Sequence, residues 1–316
     1  MDDFIDYCNS AEIDFAIANG DLVDGPLAEQ TGSTDGERVS IHLSWLQTVT
    51  DYLENSGGSN GNGLNCPVYY NLGNHEYETI EWGGDSAMGD VYSTLNMGDY
   101  SGSYYSLQTQ GLRFLFINSS YRTTADVSYN HIDSQQQTWL ENELADAKKK
   151  SDPVIVITHY PLSGAAPHPI NYDDVGNKDA VVRDLNDSAQ FVGGFFGHSH
   201  HTYTWDHVLE TRDRFGNQWI HNPQPNVLEG DDTKTNFTVI SASGSTGTAQ
   251  VSSGYDTDRF PTKWVLGRGG QTKPTQQAVT DSGISWSYNG FETLDGVNEF
   301  SSGGHSHTMR LIGRSS

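Results

Sequence analysis

Four short apolar runs constrain this chain more than any other feature, because each stops at a turn carrying a side chain able to bind metal. "IDFAIAN" (13 to 19) ends in Gly20-Asp21, "PVYYNLG" (67 to 73) in Asn74-His75, "PVIVIT" (153 to 158) in His159, and "QFVGGFF" (190 to 196) in Gly197-His198. The runs are apolar without clean alternation, as expected of strands buried on both faces. Helical patterns lie between them. "GERVSIHLSWLQTVTDYLEN" (36 to 55) puts Val39, Leu43, Leu46, Val49 and Leu53 on one stripe, and "DSQQQTWLENELADAKKK" (133 to 150) puts Trp139, Leu140, Leu144 and Ala147 on another. Asp133 suits the N-cap of the second helix, and its three closing lysines suit the negative C-terminal end. "SYYSLQTQGLRFLFINSS" (103 to 120) alternates around Gly111 and predicts an antiparallel hairpin. Strands alternating with helices, plus hairpins, argue for a layered α/β sandwich with mixed sheets.

Beyond about Thr204 the pattern turns to strand and loop, with "FTVISASGS" (237 to 245) the one strong apolar run. The stretches 224 to 236 and 247 to 283 read as long loops over the site or a small accessory layer. With no repeat and no linker, the expectation is one domain: a core over 1–245 and a loop-rich extension, 246–316, packed on it.

Composition excludes some partners. Forty-one acidic against 17 basic residues give a formal charge of −24. Such a field disfavours non-specific binding to nucleic acid or anionic lipid, both of which need basic patches. The Asp-rich, Lys-poor balance fits a halophilic protein or an acidic extracellular one. No stretch approaches the roughly 20 apolar residues of a membrane helix, and "MDDFIDYCNS" carries no basic segment followed by an apolar one. The compartment stays open. Cys8 and Cys66 are too few for a cysteine cluster and are expected as free thiols.

In open α/β sheets ligands sit outside the carboxyl ends of the strands, and Asp21, Asn74, His159, His198 and His200 all fall there. Taken singly, each piece reads as a turn or a core histidine; "GHSH" (197 to 200) is the sharpest, since histidines two apart after a strand can face one ion. Together they form a mixed oxygen and nitrogen donor set suited to Mn, Fe, Zn or Co.

The ordered segments "GDLVDG" (20 to 25), "GNHE" (73 to 76), "ITHYPL" (157 to 162) and "GHSH" (197 to 200) resemble the motifs of the calcineurin-like metallophosphoesterases. The resemblance covers roughly residues 10 to 245 and implies a four-layer αββα sandwich with two metal ions. It implies that Asp21 bridges the metals, that Asn74, His159 and His198 complete one site, and that His200 serves the other. His75 resembles the family histidine that faces the phosphate and assists the leaving group. Asp21 and His75 are thus the expected catalytic residues. The implied activity is hydrolysis of phosphomonoesters or phosphodiesters by a metal-bridging hydroxide, on a small-molecule phosphoester. His201 has no role by resemblance, Asp24 is expected to support its loop, and His168, Asp173 and Asp174 fall in a stretch that reads either as solvated loop or as lining of the substrate cleft.

The chain departs from the family at its start. The Asp-x-His that opens the family pattern is absent, and "MDDFIDYCNSAE" looks like the tail of the helix linking the first strand to the second. The expectation is therefore a chain without its first strand, one complete metal site, and a neighbouring strand left with unpaired backbone. A catalytically impaired or non-catalytic metal-binding protein of this fold, or a metal hydrolase acting on another bond, is the alternative. A second "GHSH", 304 to 307, is preceded by polar residues and is expected to be a coincidental turn.

Overall fold

The computed structural model describes residues 1–11, 13–23, 34–97, 103–109, 112–123, 130–162 and 175–198, and further on a set of strands between 210 and 312. Two six-stranded sheets carry the fold. The first contains β1 (Phe15–Asn19), β2 (Val68–Asn71), β9 (Asn236–Ser243), β10 (Thr246–Ser253), β13 (Ile284–Ser287) and β16 (Ser306–Ile312), in the order β13-β10-β9-β16-β1-β2. The second contains β3 (Tyr105–Thr109), β4 (Leu112–Ile117), β5 (Val154–Thr158), β6 (Phe191–Phe196), β7 (Glu210–Arg212) and β8 (Gln218–His221), in the order β3-β4-β5-β6-β8-β7. All four apolar runs of the sequence become strands, and the expected hairpin is β3 with β4. Both sheets mix parallel and antiparallel pairs.

The alternation of side chains along β4 and β5 builds the layers. Phe114, Phe116, Ile155 and Ile157 join one core with Phe15 and Ile17 of β1, whereas Leu115, Ile117, Val154 and Val156 join a second core. The edge-to-face contact of Phe15 with Phe114 and the tilted contact of Tyr69 with Phe116 bind the two sheets face to face. The second core packs on α5 (Ser134–Lys150) and α6 (Lys178–Asp187) through Leu140, Leu144, Val181 and Leu185. The first sheet is covered by α1 (Asp2–Ser10), α2 (Asp35–Asp51), α3 (Asn74–Gly83) and α4 (Ala87–Thr94), which contribute Phe4, Leu46, Ile80 and Val91. The result is an αββα sandwich.

The two foreseen helices form as patterned. Leu46, Val49 and Leu53 of the first stripe are buried, the last within a π-helical turn, Tyr52–Ser56, that continues α2. Asp133 caps α5 by accepting from Gln136 N at 2.7 Å. The opening segment does form a helix, α1, from Asp2 to Ser10. Cys8 and Cys66 are thiols, not joined in a disulfide. No helix among the described residues is long and apolar enough to cross a membrane.

Three expectations fail. β1 is not left with an open edge: β16 runs parallel to it on one side, Phe15 opposite Met309, and β2 on the other, Ala16 opposite Val68. Of the second "GHSH", Ser306 and His307 open β16, paired with Ser243 and Ala242 of β9, instead of lying in a turn, while its first two residues lie outside the described residues. The apolar run that follows the motif, "TMRLI", is what the gap beside β1 takes up. Part of 247 to 283, expected as loop or accessory layer, belongs to β10 inside the main sheet.

Candidate metal centre

After β1 the chain turns sharply, with φ of 80° at Gly20 and 53° at Asp21. A Cβ on Gly20 would collide with the backbone of Gly73, and one on Gly73 would collide with the Asp21 carboxylate. Glycine at both places lets two loops touch, so Asp21 is pressed against the first turn of α3. Asp21 is 1% exposed.

The strand ends are stitched by amides. Asn71 at the end of β2 donates to Asn19 Oδ1 at 2.9 Å, and Asn19 donates to the Thr158 carbonyl at 2.8 Å, crossing from one sheet to the other. This fixes His159, the residue after β5. Its Nδ1 lies 2.8 Å from the Asn19 carbonyl, to which it donates, so Nε2 is left to face Asp21 Oδ2 at 3.0 Å and Asn74 Oδ1 at 3.3 Å. Three lone-pair atoms therefore converge with no proton among them when His159 is neutral. Asp21 Oδ2 is buried and accepts no hydrogen bond from the described residues. An uncompensated buried carboxylate is costly, and a cation at this point, either a proton on His159 or a metal ion, removes the cost.

Proton affinities reflect the same need. Burial alone would raise the Asp21 carboxyl, but His159, His75 and His198 around it hold it well below its ordinary value. Burial alone would lower His159, but the Asp21 carboxylate and the Asn19 carbonyl outweigh it and raise its affinity.

His198 follows β6 with φ of 63°, half-buried, its ring 5.2 Å from that of His159 and 3.9 Å from that of Tyr160. Asp21, His159 and His198 offer ligand atoms within 4.8 Å of one another, a set able to hold one metal ion. Asn74 Oδ1 borders the same point. The fit is good for one cation.

His75 stands beside this cluster. Its backbone N–H donates to Asp21 Oδ1 at 3.1 Å, its Nε2 lies 4.0 Å from Asp21 Oδ2, and its Nδ1 lies 2.9 Å from Glu78 Oε1. The remaining expected residues, His200, Asp24, His201, His168, Asp173 and Asp174, lie outside the described residues.

Sequence reasoning missed Asn19, Asn71 and Glu76. The Glu76 carboxylate is fully buried and accepts from the backbone of Asp21, Leu22 and Gly73 at 2.8, 2.7 and 2.7 Å. Burial and the neighbouring Asp21 push this carboxyl up, against the pull of those donors. The only sequence signal was a polar residue where the apolar runs end and an acid after "GNH".

A crystal structure of a dimetal phosphatase from Danio rerio is similar over 69% of this chain and 75% of that chain, with 16% identity and a TM-score of 0.46. At that distance the likeness carries no argument of its own. A family model described as calcineurin-like phosphoesterase matches residues 1–202. That span includes all four strand-end motifs and more than half the chain, and the chain therefore belongs to the calcineurin-like phosphoesterase family.

Proposed function

We propose that the protein hydrolyses phosphomonoesters or phosphodiesters, with divalent metal held by Asp21, Asn74, His159 and His198, and with His200 serving a second ion that shares Asp21. The observation that carries this reading is the convergence of Asp21 Oδ2, His159 Nε2 and Asn74 Oδ1 at a buried point that requires a cation. Mn, Fe, Zn and Co all suit the donors. When bound, the metal would supply a Lewis acid that polarises the phosphoryl group and activates water near neutral pH.

The chain's own residues do the rest. The Asn19 carbonyl holds the His159 ring so that Nε2 keeps its lone pair for the cation. Asn71 fixes Asn19 in turn. His75 has one ring nitrogen beside Glu78 and the other turned to the Asp21 side, where it can hand a proton to a departing alkoxide or hold charge as the bond breaks. The −24 charge supports a small phosphoester rather than a nucleic acid polymer as substrate, since no basic surface excess is present to track phosphates.

Turnover of an aryl phosphate and an aryl phosphodiester, with Mn(II) and with chelator, tests the reading. Metal-dependent release of the aryl alcohol is expected, and His75→Asn should lower it by about 10²–10⁴ with metal content intact. Metal-bound protein with no turnover of either ester would instead make it a non-catalytic binding protein. Loss of metal in His75→Asn would make His75 a ligand.

A further inference from the structure

Glu76 makes contacts that capping its own helix does not explain. A glutamate three residues into a helix commonly turns back to accept from the N-cap backbone, and its bond to Gly73 N is of that kind. The same carboxylate also reaches a segment 54 and 55 residues away, where Leu22 N donates to Oε1 and Asp21 N to Oε2. Oε2 is thus shared between Asp21 N and Gly73 N, the backbone at the head of each of two ligand-bearing loops. Asp21 returns the contact: Oδ1 accepts from His75 N, the bond an N-cap side chain would ordinarily make, which Gly73 cannot make for lack of one.

We propose that Glu76 is the positioning residue of the metal centre, a buried clamp that fixes the spacing between the Asp21 loop and the Asn74–His75 turn. The inference rests on the metal-site reading above and goes beyond it, because Glu76 is not a ligand. Its physical basis is that three N–H donors and one carboxylate match only in this identity and length. Glutamine would turn an amide N–H₂ toward a backbone N–H, and aspartate would fall one methylene short.

The test uses the whole chain and Co(II) as probe, read by its visible absorption and by titration. Glu76→Gln and Glu76→Asp should weaken Co(II) binding by about 10- to 100-fold and alter the spectrum, as loss of a ligand-orienting group does. The control Glu37→Gln, which weakens the exposed cap bond of α2, should leave both unchanged. Hydrogen exchange on the metal-free protein adds a readout free of the metal. The amides of Asp21, Leu22 and Gly73 should be protected in the wild type and exchange faster in Glu76→Asp. Folded Glu76 variants with wild-type Co(II) affinity overturn the proposal. Should Glu76→Gln not fold, Glu76→Asp decides by the same two measurements; should neither fold, rapid exchange at those amides in the wild type refutes the clamp and protection upholds it. A wild type that binds no Co(II) removes the metal-site reading, while exchange still shows whether the clamp exists.

Discussion

Helices α2 and α3 begin with the same spacing, an N-cap residue followed three positions later by glutamate, and put it to different use. At α2, the exposed Thr34 and Glu37 bond each other: Thr34 N donates to Glu37 Oε2 at 2.7 Å and Glu37 N to Thr34 Oγ1 at 3.4 Å. At α3 the N-cap is Gly73, its missing side chain is replaced by Asp21 from another strand end, and Glu76 is buried across two loops. The first start stabilises a helix. The second gives up a local cap so that the Asp21 carboxylate, a ligand in the proposed metal site, can occupy its place. Local pattern is thus the same, and distant partners decide which one serves chemistry.

The sharpest way to break this comparison is to add a methyl group at each helix start. Gly73→Ala drives a Cβ into Asp21, so it should cost about 1–3 kcal/mol in a urea melt and abolish tight metal binding. Gly36→Ala, one residue inside α2, meets nothing within 4 Å and should leave stability unchanged or raise it by up to about 1 kcal/mol. Equal effects at the two positions would erase the distinction.

Protons sharpen it next. The affinity of His159 is raised above the ordinary 6.5, so its contribution to stability is complete below pH 6.5 and fades as pH rises through the folded value. Asp21 is lowered from 3.8, so its contribution is complete above that pH and fades only as pH falls through its lower folded value. The chelated protein should therefore lose melting temperature as pH climbs above about 6.5. Saturating Mn(II) should cancel or reverse the loss, because the metal needs His159 deprotonated. A flat chelated profile from pH 6 to 9 would mean that no such charge pair forms. The smallest effect belongs to the ordinary cap: Thr34→Ala should cost about 1 kcal/mol by denaturation without moving metal affinity.

What was legible from sequence follows from how far each interaction reaches. The four buried strands and their terminal Asp21, Asn74, His159 and His198 could be read because apolar runs and ligand types sit side by side in the chain. The sequence reading covers only 73 to 76 here, as a turn, and gives 77 to 83 no element, since "NHEYETIEWG" shows no clean apolar stripe; α3 forms as Tyr77 and Ile80 pack inward and Glu76 closes its start. Asn19 and Asn71 looked like plain strand ends, because their bond depends on the registry of β1 with β2, Asn19 opposite Asn71. The place of β16 beside β1 was out of reach for the same reason, being a pairing across nearly the whole chain.

The central claim is that Asp21, His159 and His198 together hold one metal ion, the cation that the buried Asp21 carboxylate demands. Elemental analysis and Mn(II) titration of the wild type, His159→Ala and His198→Ala test it most directly. The account predicts that the wild type retains metal and that each alanine variant loses it while remaining folded. Unchanged metal content in both variants would contradict it.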